Sequence, residues 1–275
     1  MMINRVLLVL TLLYGPSFSH LRPDLRIYGG KDADMEKFPF AVLMEMQRYT
    51  THKGVRKLKY DLFCSATALS STWTLTASHC IENEYIVMLY ERESLFISYN
   101  TTGELQRKKI TKMISNPNRP VNNGGPANDI ALVKTDSIQL PFYAKLSSVD
   151  YTTLVGQEAI LLGYGRTHTL YEKDPETNRT LKMMDVMLMT CKRTSFSNIH
   201  ISICAVPKCG VTEFLCPGDS GGTVLHSSGV IGVHSASLRC FIQKNNPVFG
   251  RFNYAGIDVP VSPYLDWLRS EITRD

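Results

Sequence analysis

One glycine-rich stretch, Cys216–Gly222, places a serine where it could act as a nucleophile. Ser220 follows Asp219, and three glycines in the stretch let the backbone turn sharply and approach another molecule closely. A serine held outward on such a loop can attack a carbonyl group, and the backbone N–H groups of Gly218 and Ser220 can converge on the oxyanion that forms. An ordinary turn with a solvated serine has the same composition, so the interpretation needs partners elsewhere in the chain.

Two further segments contain the groups that activate a serine. His79 lies in Thr76–Cys80, and an imidazole can accept a hydroxyl proton at neutral pH. Asp129 directly precedes the apolar run Ile130–Val133, and a buried carboxylate there could hold one tautomer of the imidazole. Each has an ordinary alternative, because a lone histidine is commonly structural and an Asp before a strand is commonly a turn residue.

A basic residue followed by an apolar one marks a point of proteolytic activation. Arg26 precedes Ile27, and glycines follow at 29 and 30. Cleavage after Arg26 would free an ammonium group at Ile27 that could pair with Asp219 and reshape the loop around Ser220. A surface turn at the start of a domain is the alternative. The pattern predicts a zymogen that another protease activates.

The N-terminal segment has the composition of a secretion signal. Arg5 precedes the apolar run 6–13, which is too short to span a bilayer, and Ser17 and Ser19 provide small residues at a cleavage point. We therefore expect a secreted, extracellular protein without a membrane anchor. The predicted parts are a signal peptide at 1–19, an activation peptide at 20–26 and a folded domain at 27–275.

Composition and charge limit the classes of partner. The 275 residues are 44% hydrophobic and include 18 glycines and 13 prolines, which favours a turn-rich β architecture. A net charge of +5 is too small to indicate nucleic-acid binding. The basic segment 107–119 is interpreted as a solvated loop or edge, with a patch that steers acidic substrates as the alternative. Glu91 and Glu104 are two separated acids, which do not make a calcium cage, so no metal ligand is assigned and calcium binding stays open. No cofactor is expected.

Seven cysteines in a secreted chain predict a disulfide framework with one cysteine left over. Sequons at Asn100 and Asn178 are compatible with glycosylation in the same compartment.

Short apolar runs bounded by polar, glycine or proline residues are typical of antiparallel strands. Ser262 and Pro263 predict the start of a C-terminal helix with Leu265, Leu268 and Ile272 on one face. Strands are predicted at 38–44, 62–69, 73–77, 85–89, 95–99, 130–134, 158–165, 199–205, 222–226, 229–235 and 253–259.

Together these motifs resemble the trypsin/chymotrypsin family of serine proteases, over Ile27 to about Ile272. Their order His, Asp, Ser is that of this family, whereas unrelated folds use other orders. The resemblance implies an all-β, chymotrypsin-like fold: two packed six-stranded antiparallel β-barrels, divided near residue 140, with a C-terminal α-helix and the site between the barrels. The matching segments are Arg26–Gly30, Thr76–Cys80, Asp129–Val133 and Gly218–Gly222.

The resemblance also implies a role for each site residue. Ser220 is the nucleophile, His79 the general base and then acid, Asp129 the orienting carboxylate, and the Gly218 and Ser220 N–H groups the oxyanion hole. The implied disulfides are Cys64–Cys80, Cys191–Cys204 and Cys216–Cys240, which leaves Cys209 as a free thiol or an intermolecular partner.

The residues of the implied specificity pocket depart from the family. Phe214 takes the floor position, where a trypsin carries Asp. On the wall strand, Ser235 is followed by Ala236 in place of the usual Trp and Ser237 in place of Gly, and Phe252 is assigned to a further glycine position. This set predicts a preference other than trypsin's for the P1 residue, on the acyl side of the cleaved bond. The pocket would take a small or apolar side chain, or would be closed and leave little activity.

The sequence predicts a monomeric, secreted serine endopeptidase that hydrolyses peptides or proteins through an acyl-enzyme on Ser220. The alternative is a non-catalytic homologue that uses the same scaffold as a secreted binding or regulatory protein.

Overall fold

A computed structural model of the chain describes residue 27 and the ranges 30–101, 104–120, 125–165, 180–191, 201–208, 215–237 and 256–274. The strands in this part of the chain are β1 (Lys31–Asp32), β2 (Ala41–His52), β3 (Val55–Ala68), β4 (Trp73–Thr76), β5 (Leu95–Thr101), β6 (Glu104–Ser115), β7 (Ala131–Thr135), β8 (Glu158–Gly163), β9 (Lys182–Thr190), β10 (Ile203–Pro207), β11 (Thr223–His226), β12 (Gly229–Ala236) and β13 (Gly256–Pro260). The α-helices are α1 (His79–Glu82), α2 (Glu84–Glu91) and α3 (Leu265–Thr273), and short 3-10 helices lie at Tyr151–Leu154 and Ser262–Tyr264.

The first lobe is a closed antiparallel barrel with the strand order β2-β3-β4-β7-β6-β5. Fully buried apolar side chains, among them Val42, Leu75, Ile97 and Leu132, fill its centre. The interpretation of 107–119 as a solvated loop or edge is wrong for most of that segment, because β6 pairs with β5 on one side and β7 on the other. Closure of the barrel leaves this strand no free edge.

The second lobe is a seven-stranded sheet with the order β1-β9-β10-β13-β12-β11-β8. Strands β8 and β9 also pair, from Glu158↔Met187 to Gly163↔Lys182, so six of the strands form a ring to which the two-residue β1 is added. The prediction of two six-stranded barrels followed by a C-terminal helix is confirmed. Within the described residues, the chain passes from the first lobe to the second between β7 and β8.

Contacts between the lobes hold the backbone around the serine loop. The hydroxyls of Thr67 and Thr223 lie 2.6 Å apart and form a buried hydrogen bond between β3 and β11. Gly221 has φ +80°, and a Cβ there would lie 2.1 Å from Thr76 Oγ1 and 2.3 Å from Ser65 O. Only glycine allows this approach, which presses the loop after Ser220 against the end of β4.

The run 85–89 forms helix α2, and the strand predicted there is wrong. The Asn83 side chain accepts a hydrogen bond from Tyr85 N at 2.8 Å and caps the helix. Ile86 and Leu89, three residues apart, are the buried residues of one helical face.

At the C-terminus, a 3-10 turn over Ser262–Tyr264 precedes α3, which buries Leu268. None of the helices in the described part of the chain has the length and apolar character needed to cross a bilayer.

Candidate active site

His79 and Asp129 form a direct contact at the seam between the lobes. His79 is the first residue of α1, three residues after the end of β4, and Asp129 lies two residues before β7. His79 Nδ1 is 2.7 Å from Asp129 Oδ2, and the backbone N–H of His79 donates to Asp129 Oδ1 at 2.9 Å. Since an ionised carboxylate can only accept, this contact assigns the ring proton to Nδ1 and leaves Nε2 as a proton acceptor.

Asp129 is buried but has several hydrogen-bond and charge partners. Ser235 Oγ donates to Asp129 Oδ2 at 2.5 Å, and Arg119 Nη2 lies 3.4 Å from Oδ1. Burial opposes ionisation, yet the hydrogen bond and charge of His79, the charge of Arg119 and the Ser235 hydroxyl together hold the pKa of Asp129 below its usual value. Asp129 is therefore a carboxylate at neutral pH.

Arg119 is a site residue that sequence reasoning missed. Its side chain is only 6% exposed, and its Nη1 atom donates to the carbonyl oxygens of Gly125 at 2.6 Å and Ala127 at 2.9 Å. The guanidinium therefore holds the turn before Asp129 as well as facing its carboxylate. The sequence showed only the last basic residue of a charged segment, without any sign that it is buried.

The serine loop is tied to both lobes through its backbone. Ser220 O accepts from Ser65 N at 2.8 Å, Gly221 N donates to His234 O at 2.8 Å, and His234 N donates to Gly222 O at 3.0 Å. These bonds fix the loop between β3 of the first lobe and β12 of the second. The Ser220 side chain stands at the edge of a cavity of about 520 Å³ that His79 also lines.

The structure brings Ser220 and His79 to one cavity without joining them by a hydrogen bond. Within the described residues, neither ring nitrogen of His79 bonds Ser220 Oγ, and the Cys80 sulfur lies 4.0 Å from His79 Nε2. Catalytic hydrogen bonds are often long in a free enzyme and tighten when substrate binds. This arrangement therefore does not exclude proton transfer.

Gly218 adopts a conformation that favours glycine. Its φ is +101°, and a Cβ there would lie 2.9 Å from both Gly165 Cα and Leu62 Cδ2. Its carbonyl oxygen accepts from Ser65 Oγ at 2.8 Å, which fixes the peptide group that follows it. Within the described residues, the N–H groups of Gly218 and Ser220 have no internal acceptor, so both could bind an oxyanion.

Asp219 is completely buried behind the serine. Its carboxylate accepts from Gly165 N at 2.8 Å and from Cys216 N at 2.9 Å. Burial raises the pKa of Asp219 to about 6, although the two N–H groups and the nearby His234 act in the opposite direction. A Cβ at Gly163 would lie 2.2 Å from Asp219 Oδ1, so the carboxylate occupies space that only glycine leaves open.

Ile27 is also fully buried, with φ +48° in the uncleaved chain. A β-branched residue in this left-handed region is strained. Within the described residues no hydrogen bond joins Ile27 to Asp219. Arg26, the other residue of the predicted activation site, lies outside the described residues.

Disulfides hold the segments that carry the site. Cys64–Cys80 connects β3 to α1 directly after His79, and Cys191–Cys204 connects the end of β9 to β10. Cys216 is also disulfide-bonded, whereas Cys240 and Cys209 lie outside the described residues. The sulfurs of Cys64 and Cys80 lie near His79, but their bond to each other removes them as metal ligands.

The specificity residues are described only in part. Phe214 and Phe252 lie outside the described residues. Ser235 donates to Asp129 and so supports the orienting carboxylate, while Ser237 lines the cavity with a buried hydroxyl. From β13, Gly256 lies close to this wall, and a Cβ there would lie 2.7 Å from His234 Cε1.

A second histidine–aspartate pair was missed by sequence reasoning. His234 lines the cavity, and its Nδ1 atom lies 2.9 Å from Asp258 Oδ1, with the two side chains 4% and 0% exposed. Burial raises the pKa of Asp258, against the hydrogen bond and charge interaction with His234. The pair arises from the register of β12 and β13, which places His234 opposite Asp258.

The predicted glycosylation sites have different status. Asn100 lies half-buried in β5, and its amide oxygen is enclosed without a hydrogen-bond partner among the described residues. Asn178 lies outside the described residues.

Comparison with known proteins shows similarity over nearly the whole chain. The family profile described as Trypsin matches residues 27–268. CLIP domain-containing serine protease B9 of Anopheles gambiae is 25% identical over 90% of this chain and 63% of the mosquito protein, so this chain spans less than two thirds of that relative. Phenoloxidase-activating factor 3 of Holotrichia diomphalia is 24% identical, over 92% of this chain and 74% of its own length.

Among solved structures, the chain is similar in fold to neuropsin, a serine protease expressed in the limbic system of mouse brain. The TM-score is 0.65 at 19% identity, and the match covers 90% of this chain and all of the neuropsin chain.

Proposed function

Because the chain belongs to the trypsin family of serine proteases, we propose that it is a secreted endopeptidase that hydrolyses peptide bonds through Ser220. The observation that carries the proposal is the 2.7 Å contact between His79 Nδ1 and Asp129 Oδ2, with His79 and Ser220 lining one cavity.

In the proposed reaction, His79 Nε2 takes the hydroxyl proton as Ser220 Oγ attacks the substrate carbonyl carbon. Asp129, kept ionised by its partners, stabilises the imidazolium that forms. The imidazolium then gives the proton to the leaving amine, and the carbon–nitrogen bond breaks to leave an acyl-enzyme. Water deprotonated by His79 attacks the ester and releases the acid.

The N–H groups of Gly218 and Ser220 are proposed to bind the oxyanion of each tetrahedral intermediate. They lie on a loop whose glycine conformation and whose bonds to Ser65 hold its backbone in place. Fixed donors need no reorganisation during the reaction, and one such donor is worth roughly 10²–10³ in rate.

Activation is proposed to follow cleavage after Arg26 by another protease. The new ammonium group of Ile27 would pair with Asp219, whose buried carboxylate accepts from two backbone N–H groups in the described part of the chain. Opposite charge at this place would favour the ionised form of Asp219. The name of the Holotrichia relative, an activating factor, supports a place in a sequence of proteolytic steps.

The remaining expectations stay proposals: secretion after removal of 1–19, a monomer, glycosylation at Asn100 and Asn178, and P1 specificity unlike that of trypsin. In support of the last, no carboxylate is among the described residues that line the cavity, so a P1 Lys or Arg finds no opposite charge there.

Labelling of Ser220 with a fluorophosphonate tests the proposal. We expect the full chain to be labelled at Ser220 after cleavage at Arg26 and much more slowly before it, with Ser220→Ala as the control. No labelling of the cleaved chain would contradict the enzyme proposal and favour a secreted binding or regulatory protein on the same scaffold.

A further inference from the structure

The cavity beside Ser220 contains two polar groups that the proposed chemistry does not use. His234 and Ser237 both line it, from the same end of β12. His234 Nδ1 is engaged by Asp258, so Nε2 is the ring nitrogen left for a ligand, and within the described residues it has no partner. Ser237 Oγ is buried and likewise without a hydrogen-bond partner in the described part of the chain.

A buried polar group without a hydrogen-bond partner lowers the stability of the fold. These two groups therefore indicate a ligand that forms hydrogen bonds with both of them. They lie next to Ser220, whose loop is bonded to the backbone of His234 through Gly221 and Gly222. The side chain of a residue acylating Ser220 would therefore enter the part of the cavity that they line.

We propose that His234 and Ser237 bind the carboxylate of an acidic P1 side chain, so that the chain cleaves after Glu. The proposal rests on the endopeptidase function proposed above. Ser237 Oγ–H and a protonated His234 Nε2–H would each donate to the substrate carboxylate, while Nδ1–H donates to Asp258. The imidazolium then lies between two anions, and its second proton comes from solvent.

Charge and burial disfavour the other classes of side chain. Among the described residues that line the cavity, a basic P1 residue meets no carboxylate. Asp258 is fully buried and bonded to the imidazole, and Asp219 accepts from the N–H groups of Gly165 and Cys216. An apolar P1 residue would leave His234 Nε2 and Ser237 Oγ unpaired. A site built to hydrogen-bond its substrate strongly rejects an analogue that lacks the bonding group.

The His234 imidazole packs close to Gly256, which lies beside Leu215. A Cβ at position 256 would lie 2.7 Å from His234 Cε1, 2.8 Å from His234 Nδ1 and 2.8 Å from Leu215 Cδ1. A larger residue at 256 would displace the ring from Asp258. The His234 ring thus occupies the space that a side chain at position 256 would fill.

The experiment uses the full chain cleaved after Arg26, and four peptides that differ only at P1: Glu, Gln, Leu and Arg. Hydrogen bonds to a charged group are worth about 10-fold to 100-fold in binding, so we expect kcat/KM for Glu to exceed that for Gln by at least about 10-fold. Ser237→Ala, which removes an unbonded hydroxyl, should lower kcat/KM for Glu about 10-fold. His234→Gln should reduce the Glu/Gln ratio to within about 3-fold. Ser227→Ala, in the exposed turn between β11 and β12, is the matched control.

The result separates the two proposals. If Ser220 is labelled but Leu or Arg is preferred at P1, or if Ser237→Ala leaves the Glu rate unchanged, the acidic pocket is wrong and the enzyme stands. If Ser220 is not labelled, calorimetry with an acetylated peptide ending in Glu tests whether the pocket binds an acidic side chain, independently of any enzymatic activity. Binding at least 10-fold tighter than that of the Gln-terminated peptide, and weakened by Ser237→Ala, supports it, and equal binding overturns it.

Discussion

The two histidine–aspartate pairs have the same atoms at nearly the same distance, 2.7 Å for His79–Asp129 and 2.9 Å for His234–Asp258. Their surroundings differ. The Asp129 carboxylate is bonded by the N–H and ring of His79, by Ser235 and by Arg119, and its pKa is lowered. Asp258 has His234 alone, its Oδ2 atom has no partner among the described residues, and its pKa is raised.

Exposure separates the two imidazoles as well. The His79 side chain is 35% exposed and can exchange a proton with a substrate, whereas that of His234 is 4% exposed. The comparison shows that the distance within a pair does not define its role. The other bonds of the carboxylate and the access of the ring do, because they decide which form of each group is stable.

Removal of each histidine gives the largest contrast. His79→Ala should lower kcat by on the order of 10⁶ for every substrate, because the serine loses its base. His234→Gln should lower kcat/KM by about 10-fold to 100-fold, and chiefly for peptides with Glu at P1. Steady-state kinetics on the same peptides measures both. Equal losses in the two variants would contradict the assignment of separate roles.

The two carboxylates should differ by orders of magnitude in their effect on turnover. Asp129→Asn should lower kcat on the order of 10⁴, because an amide donor would stabilise the wrong tautomer of His79. Asp258→Asn should lower kcat by less than about 10-fold while reducing the preference for Glu over Gln. A loss of kcat at Asp258 as large as that at Asp129 would argue that the second pair takes part in proton transfer.

Asp219 extends the comparison to stability. The pKa of Asp219 is about 6 in the folded chain and 3.8 in the unfolded chain. Its contribution to the free energy of unfolding is therefore fully present below pH 3.8 and is lost as the pH rises through 6. Asp129 behaves in the opposite way: its contribution is present above pH 3.8 and lost as pH falls through its lowered pKa.

Between pH 5 and 7.5, the uncleaved Ser220→Ala chain should therefore lose on the order of 1 kcal/mol of unfolding free energy through Asp219. Urea unfolding at a series of pH values tests this. The same chain with Asp219→Asn should lack that part of the pH dependence, and the raised pKa of Asp258 affects both chains alike. Identical slopes would show that Asp219 does not titrate in this range.

Arg119 gives the smallest expected effect. Arg119→Gln removes the cation beside Asp129 and should raise the pKa of that carboxyl, with kcat at pH 6 reduced about 3-fold to 10-fold. Arg107→Gln is the matched control. Arg107 Nε lies 2.8 Å from Glu45 Oε2, and this ion pair is not part of the site. Equal activity of the two variants across the pH range would show that Arg119 does not lower the pKa of Asp129 enough to affect turnover.

The motifs were sufficient to select His79, Asp129 and Ser220, and the two barrels were predicted from the family resemblance that these motifs carry. These signals are local, since a strand's alternation and a glycine loop are visible within a few residues. The run 85–89 was misread because a short apolar run fits both periods, although Asn83 provided a helix cap. Strand β9 was missed although Met184, Val186 and Leu188 alternate inward, because the buried Lys182 opens it.

The second pair depends on information that a single sequence lacks. His234 and Asp258 are 24 residues apart, and only the register of β12 against β13 brings them together. The same register places Gly256 near the imidazole. Burial of Arg119 likewise follows from the turn at 125–127 folding over it.

The left-handed torsion at Ile27 has a consequence for the direction of the proposed cleavage after Arg26. The angle φ is defined by the carbonyl carbon of the preceding residue, so hydrolysis of the 26–27 bond abolishes it. The uncleaved chain carries a conformational cost of roughly 1–3 kcal/mol that a chain cleaved at this bond would not carry. Resynthesis of the bond would restore that cost, which biases the step toward the cleaved form independently of any ion pair made afterwards.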